Sequence, residues 1–151
     1  MKIRYIPYQD EYREDLFKMI RALYAEDPSG DKMNEGKIEK TIDYLQTHPE
    51  RGRIMLFSDG NLIIGYSIII YYWSNEYGGI ILLLDELFVK EGCRGHRIGT
   101  GFINHLITTE SELCKAIFLE VIPSNSKALK FYNSLGFEPV GHNFQKYVLN
   151  N

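Results

Sequence analysis

The sequence predicts an α/β fold: a mixed, mostly antiparallel central sheet flanked by helices on both faces. Segments with alternating or β-branched residues, which are typical of strands, are interspersed with segments whose apolar residues recur at helical spacing. Their order is β-α-α-β-β-β-α-β-α-β-β, so that hairpins come first and a crossover helix follows. The 151 residues suit one hydrophobic core, and we expect a single domain over residues 1–151.

The first half of the chain is expected to hold a strand, two helices and a hairpin. Asp27-Pro28-Ser29-Gly30 contains helix-breaking residues, so the first helix should end there. Asp59-Gly60 is a hairpin-turn signal between two strands. The expected elements are a strand at residues 2–6, helices at 9–25 and 38–45, and strands at 53–58 and 62–73.

The second half is expected to alternate strands with helices and to finish with two strands. Gly136 follows the last helix, at a position where glycine commonly supplies the C-terminal cap. The expected elements are strands at residues 80–89 and 116–122, helices at 98–113 and 126–135, and final strands near residue 140 and at 147–149.

The composition argues against several classes of protein. The 17 basic and 20 acidic residues give a net charge of −3, so we expect no nucleic-acid surface. The longest apolar run, residues 62–73, is too short to span a bilayer, and no secretory signal is evident. The four histidines are scattered and predict no metal site. Cys93 and Cys114 are expected to be free thiols of a cytoplasmic protein, with a disulfide in a secreted protein as the alternative.

The strongest functional signal lies in residues 84–101. A strand-like run ends at Val89, a short polar loop follows, and Gly95, Gly99 and Gly101 open an amphipathic helix. Backbone N–H groups at a helix start lack partners, the helix dipole adds positive charge, and glycines let a phosphate approach closely. The basic side chains of the loop are Arg94, His96 and Arg97. The pattern therefore predicts a pocket for a cofactor that carries a diphosphate.

Two common glycine-rich motifs do not fit this loop, and a third does. A dinucleotide fingerprint requires G-x-G-x-x-G, whereas these glycines are spaced G-x-x-x-G-x-G, and no lysine stands where a Walker A loop requires one. The segment Arg94-Gly95-His96-Arg97-Ile98-Gly99 instead resembles the acyl-CoA pyrophosphate loop of the GNAT superfamily of N-acetyltransferases. That loop follows a strand ending in a hydrophobic-x-Val triplet, as residues 87–89 do. Arg97 departs from the pattern, because the family usually has its first motif glycine there.

A second segment is similar to a later signature of the same family. Residues 125–137 read N-x-x-A-x-x-F-Y-x-x-x-G-F and follow the expected strand at the expected distance. Two independent motifs in the right order strengthen the resemblance, which covers residues 53–149. The first fifty residues match only in element order, and in the family this region forms part of the acceptor site.

The resemblance implies a GNAT-like fold and acetyl-CoA as the acyl donor. In the family, the strand at residues 87–89 splays from its neighbour after a bulge and pairs with the pantetheine arm, while backbone amides of the loop hold the diphosphate. Asn125 would bond the pantetheine arm and Lys130 would meet the adenosine phosphates, with a helix cap and a solvated lysine as the alternatives. The implied cofactor-binding residues are Leu87, Phe88, Val89, Arg94, Gly95, His96, Arg97, Ile98, Gly99, Thr100, Gly101, Asn125 and Lys130.

The same resemblance implies three catalytic residues. Tyr132 would be the general acid that protonates the departing CoA thiolate, with a core tyrosine as the alternative. The acceptor amine must lose a proton, and a carboxylate can accept it, usually through water. Asp85 and Glu86 are the candidates, and since strand side chains alternate, only one faces a given side. By analogy we prefer Asp85, with a structural ion pair or edge charge as the alternative for each.

The sequence is therefore interpreted as an acetyltransferase that moves an acetyl group from acetyl-CoA to a primary amine of a small molecule or peptide, by direct attack in a ternary complex. One alternative is a non-catalytic acyl-CoA binding or regulatory module on the same fold. Another is a nucleotide-phosphate enzyme that uses the same loop. Dimers are common in the family, and the aromatic residues between positions 66 and 77 would suit a homodimer interface.

Overall fold

The computed structural model describes residues 1–27 and 30–150, which form two compact units. The first unit is Met1–Glu120 and the second is Val121–Asn151, and each is described by itself. The expectation of a single domain over residues 1–151 stays a prediction.

The first unit is built on a five-stranded sheet with strand order β1-β2-β3-β4-β5. Neighbouring strands are antiparallel except β4 and β5, which are parallel, as the mixed, mostly antiparallel prediction requires. Short 3-10 turns precede α1 and follow β4. The elements are β1 (Ile3–Pro7), α1 (Arg13–Glu26), α2 (Glu35–Thr47), β2 (Gly52–Asp59), β3 (Leu62–Ser74), β4 (Gly79–Val89), α3 (Ile98–Glu110) and β5 (Cys114–Leu119).

Helices cover both faces of this sheet, which confirms the predicted fold class. On one face, α1 and α2 bury apolar side chains such as Leu16 and Ile42 against Leu56 of β2. On the other face, the Phe102 ring of α3 lies 4.7 Å from the Phe57 ring. Leu56 and Phe57 reach opposite faces because side chains alternate along a strand. Full burial of each such side chain stabilises the fold by about 1.5–3 kcal/mol.

Local signals account for the ends of the first two helices. α1 ends at Glu26 with Asp27 at its C-terminal cap, so the helix ends where the sequence predicts. Pro28 and Ser29, which belong to the predicted break, lie outside the described residues. α2 starts after Asn34, whose side chain accepts a hydrogen bond of 2.9 Å from the Lys37 backbone N–H.

The second unit contains one helix, α4 (Ser126–Ser134), followed by Gly136 at a φ of +94°, as the predicted cap requires. The final strands expected near residue 140 and at 147–149 are wrong: beyond α4 the described residues form no strand. Val140, Tyr147 and Leu149 are all exposed. An alternating pattern makes a strand only where a neighbour accepts and donates its backbone hydrogen bonds, and this segment has no such neighbour among the described residues.

Candidate active site

The ladder between the two parallel strands stops part-way along β4. The last paired residues are Leu84 and Leu119, where β5 ends, whereas β4 continues to Val89. Within residues 1–120, positions 85–89 of β4 therefore have a neighbour only on the β3 side. Their backbone groups on the other edge are available to an extended ligand, which can pair with them as a strand would.

A β-bulge lies at the point where the strands part. Ile68 of β3 pairs with Glu86 and Ile69 pairs with Leu84, so that Asp85 is the extra residue with no partner on β3. A bulge bends its strand and redirects the side chains around it. The bulge is the feature that the family resemblance implies, and it places Asp85 at the opening between β4 and β5.

Glu86 is held through both of its carboxylate oxygens. Tyr24 of α1 donates to Oε2 at 2.6 Å and Tyr66 of β3 donates to Oε1 at 2.7 Å. Burial and the Glu86 carboxylate raise the pKa of both phenols, so they stay protonated at neutral pH and can donate. The Ser67 hydroxyl adds a 2.8 Å hydrogen bond to the Glu86 carbonyl oxygen and fixes the backbone at the bulge.

Asp85 has a different environment from its neighbour. Although the residue is in contact with solvent, partial desolvation raises the pKa of its carboxyl group, and the negative charges of Glu86 and Glu120 raise it further. Glu120 directly follows Leu119, so the two acidic side chains are the first beyond the last paired position. Across the described part of the chain, no basic side chain forms an ion pair with Asp85.

The loop before α3 presents a row of free backbone donors. Within the described residues, no backbone N–H from Gly95 to Thr100 donates a hydrogen bond, and the cap residue Arg97 provides none from its side chain. The row is bounded by Arg94, whose N–H bonds the Glu91 carbonyl, and by Gly101, whose N–H bonds the Arg97 carbonyl. Unpaired donors at the start of a helix attract an anion.

The backbone of this loop depends on left-handed conformations. Gly95 has a φ of +83° and Arg97 a φ of +59°, and Arg97 is the one non-glycine residue with positive φ in the part of the chain described. The left-handed region favours glycine, which explains why the family usually has a glycine at the position of Arg97. The Arg97 side chain is exposed, and its guanidinium has no partner among the described residues.

Arg94 is folded back onto the protein. Its Nε donates to the Val89 carbonyl at 2.8 Å, a terminal nitrogen bonds Glu26 Oε1 at 2.5 Å, and the guanidinium lies 5.4 Å from the centre of the Phe88 ring. Arg94 therefore connects the loop to the end of β4 and to the last turn of α1.

The other residues predicted for this loop and strand differ in their burial. Phe88 and Ile98 are buried in the core, whereas Leu87, Val89, Gly99 and Thr100 are half-buried. The His96 ring is exposed and lies 3.1 Å from the Cys93 carbonyl through Nδ1.

Gly101 has a packing explanation. A Cβ at this position would lie 2.4 Å from the Tyr5 hydroxyl oxygen, and that hydroxyl donates to the Ile98 carbonyl at 2.9 Å. The glycine thus lets the first turn of α3 approach β1. Its role toward a cofactor stays a prediction.

The second unit carries the remaining predicted residues. The Asn125 side chain accepts a 3.1 Å hydrogen bond from the Ala128 N–H, so it acts as the cap of α4. Tyr132 is half-buried, with its ring centre 4.9 Å from that of Phe131 and 5.7 Å from that of Phe137. Burial raises the pKa of the Tyr132 phenol, which keeps its proton at neutral pH. Lys130 is exposed.

Sequence reasoning missed the contacts that hold the carboxylate and the loop. Tyr24 and Glu86 are 62 positions apart, and Glu26 and Arg94 are 68 apart. No local pattern predicts such a pair, because each depends on where α1 packs on the sheet.

Among residues 1–27 and 30–150, no group of three or more His, Cys, Asp or Glu side chains could hold a metal ion. In the same residues, the helices are too short or too polar for any of them to span a bilayer. Cys93 and Cys114 are both free thiols.

The site thus combines a bulged strand that parts from its neighbour with a loop of unpaired N–H groups. A comparison with known families identifies the family of this chain. Residues 17–137 match the family model of the acetyltransferase (GNAT) family. Because this match spans most of the chain, the protein belongs to the GNAT acetyltransferase family. No curated protein sequence matches the chain significantly.

Solved structures share the fold at low sequence identity. A possible acetyltransferase from Clostridium difficile 630 superposes with a TM-score of 0.86 at 18% identity, covering 100% of both chains. An integron cassette protein from the mobile metagenome of Cole Harbour Salt Marsh gives 0.81 at 22% identity, covering 97% of this chain and 91% of its own. Glucosamine-6-phosphate N-acetyltransferase from Arabidopsis thaliana gives 0.73 at 12%, covering 97% and 99%. These likenesses establish the fold.

Proposed function

We propose that this protein transfers an acetyl group from acetyl-CoA to a primary amine of a small molecule or peptide, by direct attack in a ternary complex. Membership of the GNAT acetyltransferase family supports acetyl transfer. The observation that carries the proposal for the donor is the row of free N–H groups from Gly95 to Thr100, which suits a diphosphate.

The chain offers groups for each part of coenzyme A. The free edge of β4 at residues 87–89 suits the two amides of the pantetheine arm, and the loop amides suit the diphosphate. The unpartnered guanidinium of Arg97 adds a charged donor beside those amides. Arg94 shapes the loop. Asn125 and Lys130 are proposed to meet the pantetheine arm and the adenosine phosphates.

The reaction needs a base, a polarised carbonyl and an acid. In the proposal, Asp85 or Glu86 takes a proton from the acceptor ammonium, and the amine nitrogen then attacks the thioester carbon. A backbone N–H near residues 87–89 stabilises the negative charge on the carbonyl oxygen. As the C–S bond breaks, Tyr132 gives its proton to the CoA thiolate. The amide nitrogen loses its second proton to solvent, the Tyr132 phenolate regains one from solvent, and the products are an N-acetylated amine and free CoA.

An acetylation screen across amine classes, read by the release of free thiol, tests this function. Calorimetry with CoA, ATP and NAD tests the donor separately. The proposal predicts CoA binding, no comparable binding of ATP or NAD, and thiol release with at least one amine class. CoA binding without thiol release on any amine would favour a non-catalytic acyl-CoA module. Binding of ATP or NAD in place of CoA would overturn the donor assignment.

Three expectations remain predictions alongside this function. A single domain over residues 1–151, a cytoplasmic location and a homodimer are each expected. Light scattering during size-exclusion chromatography tests the homodimer directly: twice the chain mass supports it, and a mass of 17.6 kDa contradicts it.

A further inference from the structure

The carboxylate of Glu86 joins three elements of the first unit. Tyr24 in the last turn of α1 and Tyr66 in the middle of β3 each donate to a different oxygen of a side chain on β4. Tyr66 is completely buried and Glu86 is half-buried, so this bridge is partly shielded from water. An ionised carboxylate has about four acceptor positions, and two remain after the phenols have bonded.

We propose that Tyr24 and Tyr66 are positioning residues of the acetyl transfer, which orient Glu86 to receive the acceptor ammonium and leave Asp85 to take the proton. The inference rests on the proposed function and deepens it by assigning different roles to the Asp85 and Glu86 carboxylates. It adds two residues that neither the sequence motifs nor the family match assigns a role.

These different roles follow from the hydrogen bonds that the two carboxylates accept. The two phenols fix the orientation of the Glu86 carboxylate and leave two of its acceptor positions open, which suits it to hold a cation. Asp85 accepts no hydrogen bond in the described part of the chain and is the extra residue of the bulge. Its side chain is therefore free to take a proton at the opening between the strands.

The last turn of α1 holds the site at two points. Tyr24 contacts Glu86 beside the bulge, and Glu26, two residues further on, pairs with Arg94 of the loop. A shift of this turn would move the carboxylate and the loop together. The loop contact is made by Glu26 and not by the tyrosines, whose hydroxyls bond Glu86, so the tyrosines act on the reaction through that carboxylate.

A matched hydrogen bond between β3 and the end of α3 provides the control. Tyr71, also on β3, donates to the buried carboxylate of Glu110 at 3.0 Å, and Arg53 bonds the same oxygen. Tyr71→Phe removes the same kind of hydrogen bond as Tyr24→Phe at a glutamate that the proposed mechanism does not use.

The experiment is a double-mutant cycle on kcat and KM with the best acceptor amine from the screen. Tyr24→Phe should lower kcat about tenfold and leave KM for acetyl-CoA unchanged, because a hydrogen bond to a charged group is lost. In the background of Glu86→Gln, Tyr24→Phe should have no further effect on kcat, because the tyrosine acts through Glu86. Tyr71→Phe should leave kcat unchanged. Tyr66→Phe is the second arm, with thermal unfolding to verify that it folds.

The outcomes separate this inference from the proposed function. If the wild type releases thiol and Tyr24→Phe keeps the wild-type kcat, or if the two changes multiply in the cycle, the positioning role is wrong while the proposed function stands. If the wild type binds CoA but acetylates no amine, the proposed function and this inference both fail.

Discussion

At the residue scale, the loop contains one side chain in a conformation that disfavours it. Arg97 has a φ of +59°, and a non-glycine residue there costs about 1–2 kcal/mol. Strained residues of this kind are found where surrounding structure holds them for a function. We propose that the free Arg97 guanidinium, beside the unpaired N–H groups, makes a charged contact to phosphate that glycine could not make.

Two substitutions of Arg97 separate the backbone from the side chain. Arg97→Gly should stabilise the fold by about 1 kcal/mol, because it relieves the left-handed strain, and should weaken CoA binding several-fold. Arg97→Ala should weaken CoA binding equally without the gain in stability. Urea unfolding and calorimetric titration measure the two effects. Wild-type affinity in both variants would show that the guanidinium does not contact the cofactor.

Tyr132 should affect chemistry rather than binding. Tyr132→Phe keeps the ring that packs on Phe131 and Phe137 but removes the proton that the departing thiolate needs. The rate of thiol release should fall about 10²–10⁴-fold, the usual range for a general acid, while calorimetry finds the same affinity for CoA. An unchanged rate of thiol release would show that Tyr132 is a packing residue and not the general acid.

The charge of Glu120 should set the pH dependence through Asp85. Its negative charge helps to raise the pKa of Asp85, so the acidic limb of kcat/KM should lie above the ordinary range of an aspartate. Glu120→Gln removes that charge, lowers the pKa of Asp85, and should move the limb to lower pH. Glu112→Gln, on the exposed turn before β5, is the control and should leave the limb in place. A limb that stays fixed or moves upward in Glu120→Gln would exclude Asp85 as the base.

At the element scale, the opening exists because two strands end at different places. β4 runs five residues past its last pairing with β5, from Leu84 to Val89. The register that creates this edge is fixed by the bulge at Asp85 and by the Ser67 contact behind it. The position of α3, which holds the loop, depends in turn on its packing against β1.

The contact between α3 and β1 can be tested with two substitutions. Gly101→Ala should destabilise the fold by about 1–3 kcal/mol, because its Cβ would lie 2.4 Å from the Tyr5 hydroxyl oxygen. In a Tyr5→Phe background that oxygen is absent and the nearest remaining ring atom is 3.6 Å away. Gly101→Ala should therefore destabilise the fold much less in that background. Denaturant unfolding of the four proteins measures the coupling. An equal loss of stability in both backgrounds would mean that Gly101 is needed for another reason.

Local patterns predicted the elements that local forces determine. Helical spacing predicted α2, and Asp59-Gly60 predicted the hairpin between β2 and β3. The end of β5 was predicted three residues too late, at Ile122, because it is set by the place where pairing with β4 stops. The final strands failed for the same reason, since alternation does not specify a neighbour.

The candidate site was predictable in its backbone and less so in its side chains. The glycine spacing located the loop, and the family resemblance implied a bulge near residues 87–89. The sequence could not show that Tyr24 and Tyr66 bond Glu86, because these contacts join distant parts of the chain. Nor could it show that Arg94 folds back toward Val89 and Glu26.

At the scale of the whole molecule, an acidic chain contains a site suited to an anion. The net charge is −3, yet the loop presents unpaired N–H groups, the start of α3 and the Arg97 guanidinium in one place. Local donors rather than overall charge therefore account for the proposed binding of coenzyme A. The three carboxylates at the opening, Asp85, Glu86 and Glu120, suit the positive charge of an amine acceptor.

The structure of the protein in complex with acetyl-CoA tests the central claim most directly. The account predicts that the diphosphate accepts hydrogen bonds from backbone N–H groups between Gly95 and Thr100, and that the pantetheine arm lies along residues 87–89. A complex in which acetyl-CoA leaves that row of donors untouched and binds elsewhere would contradict the account.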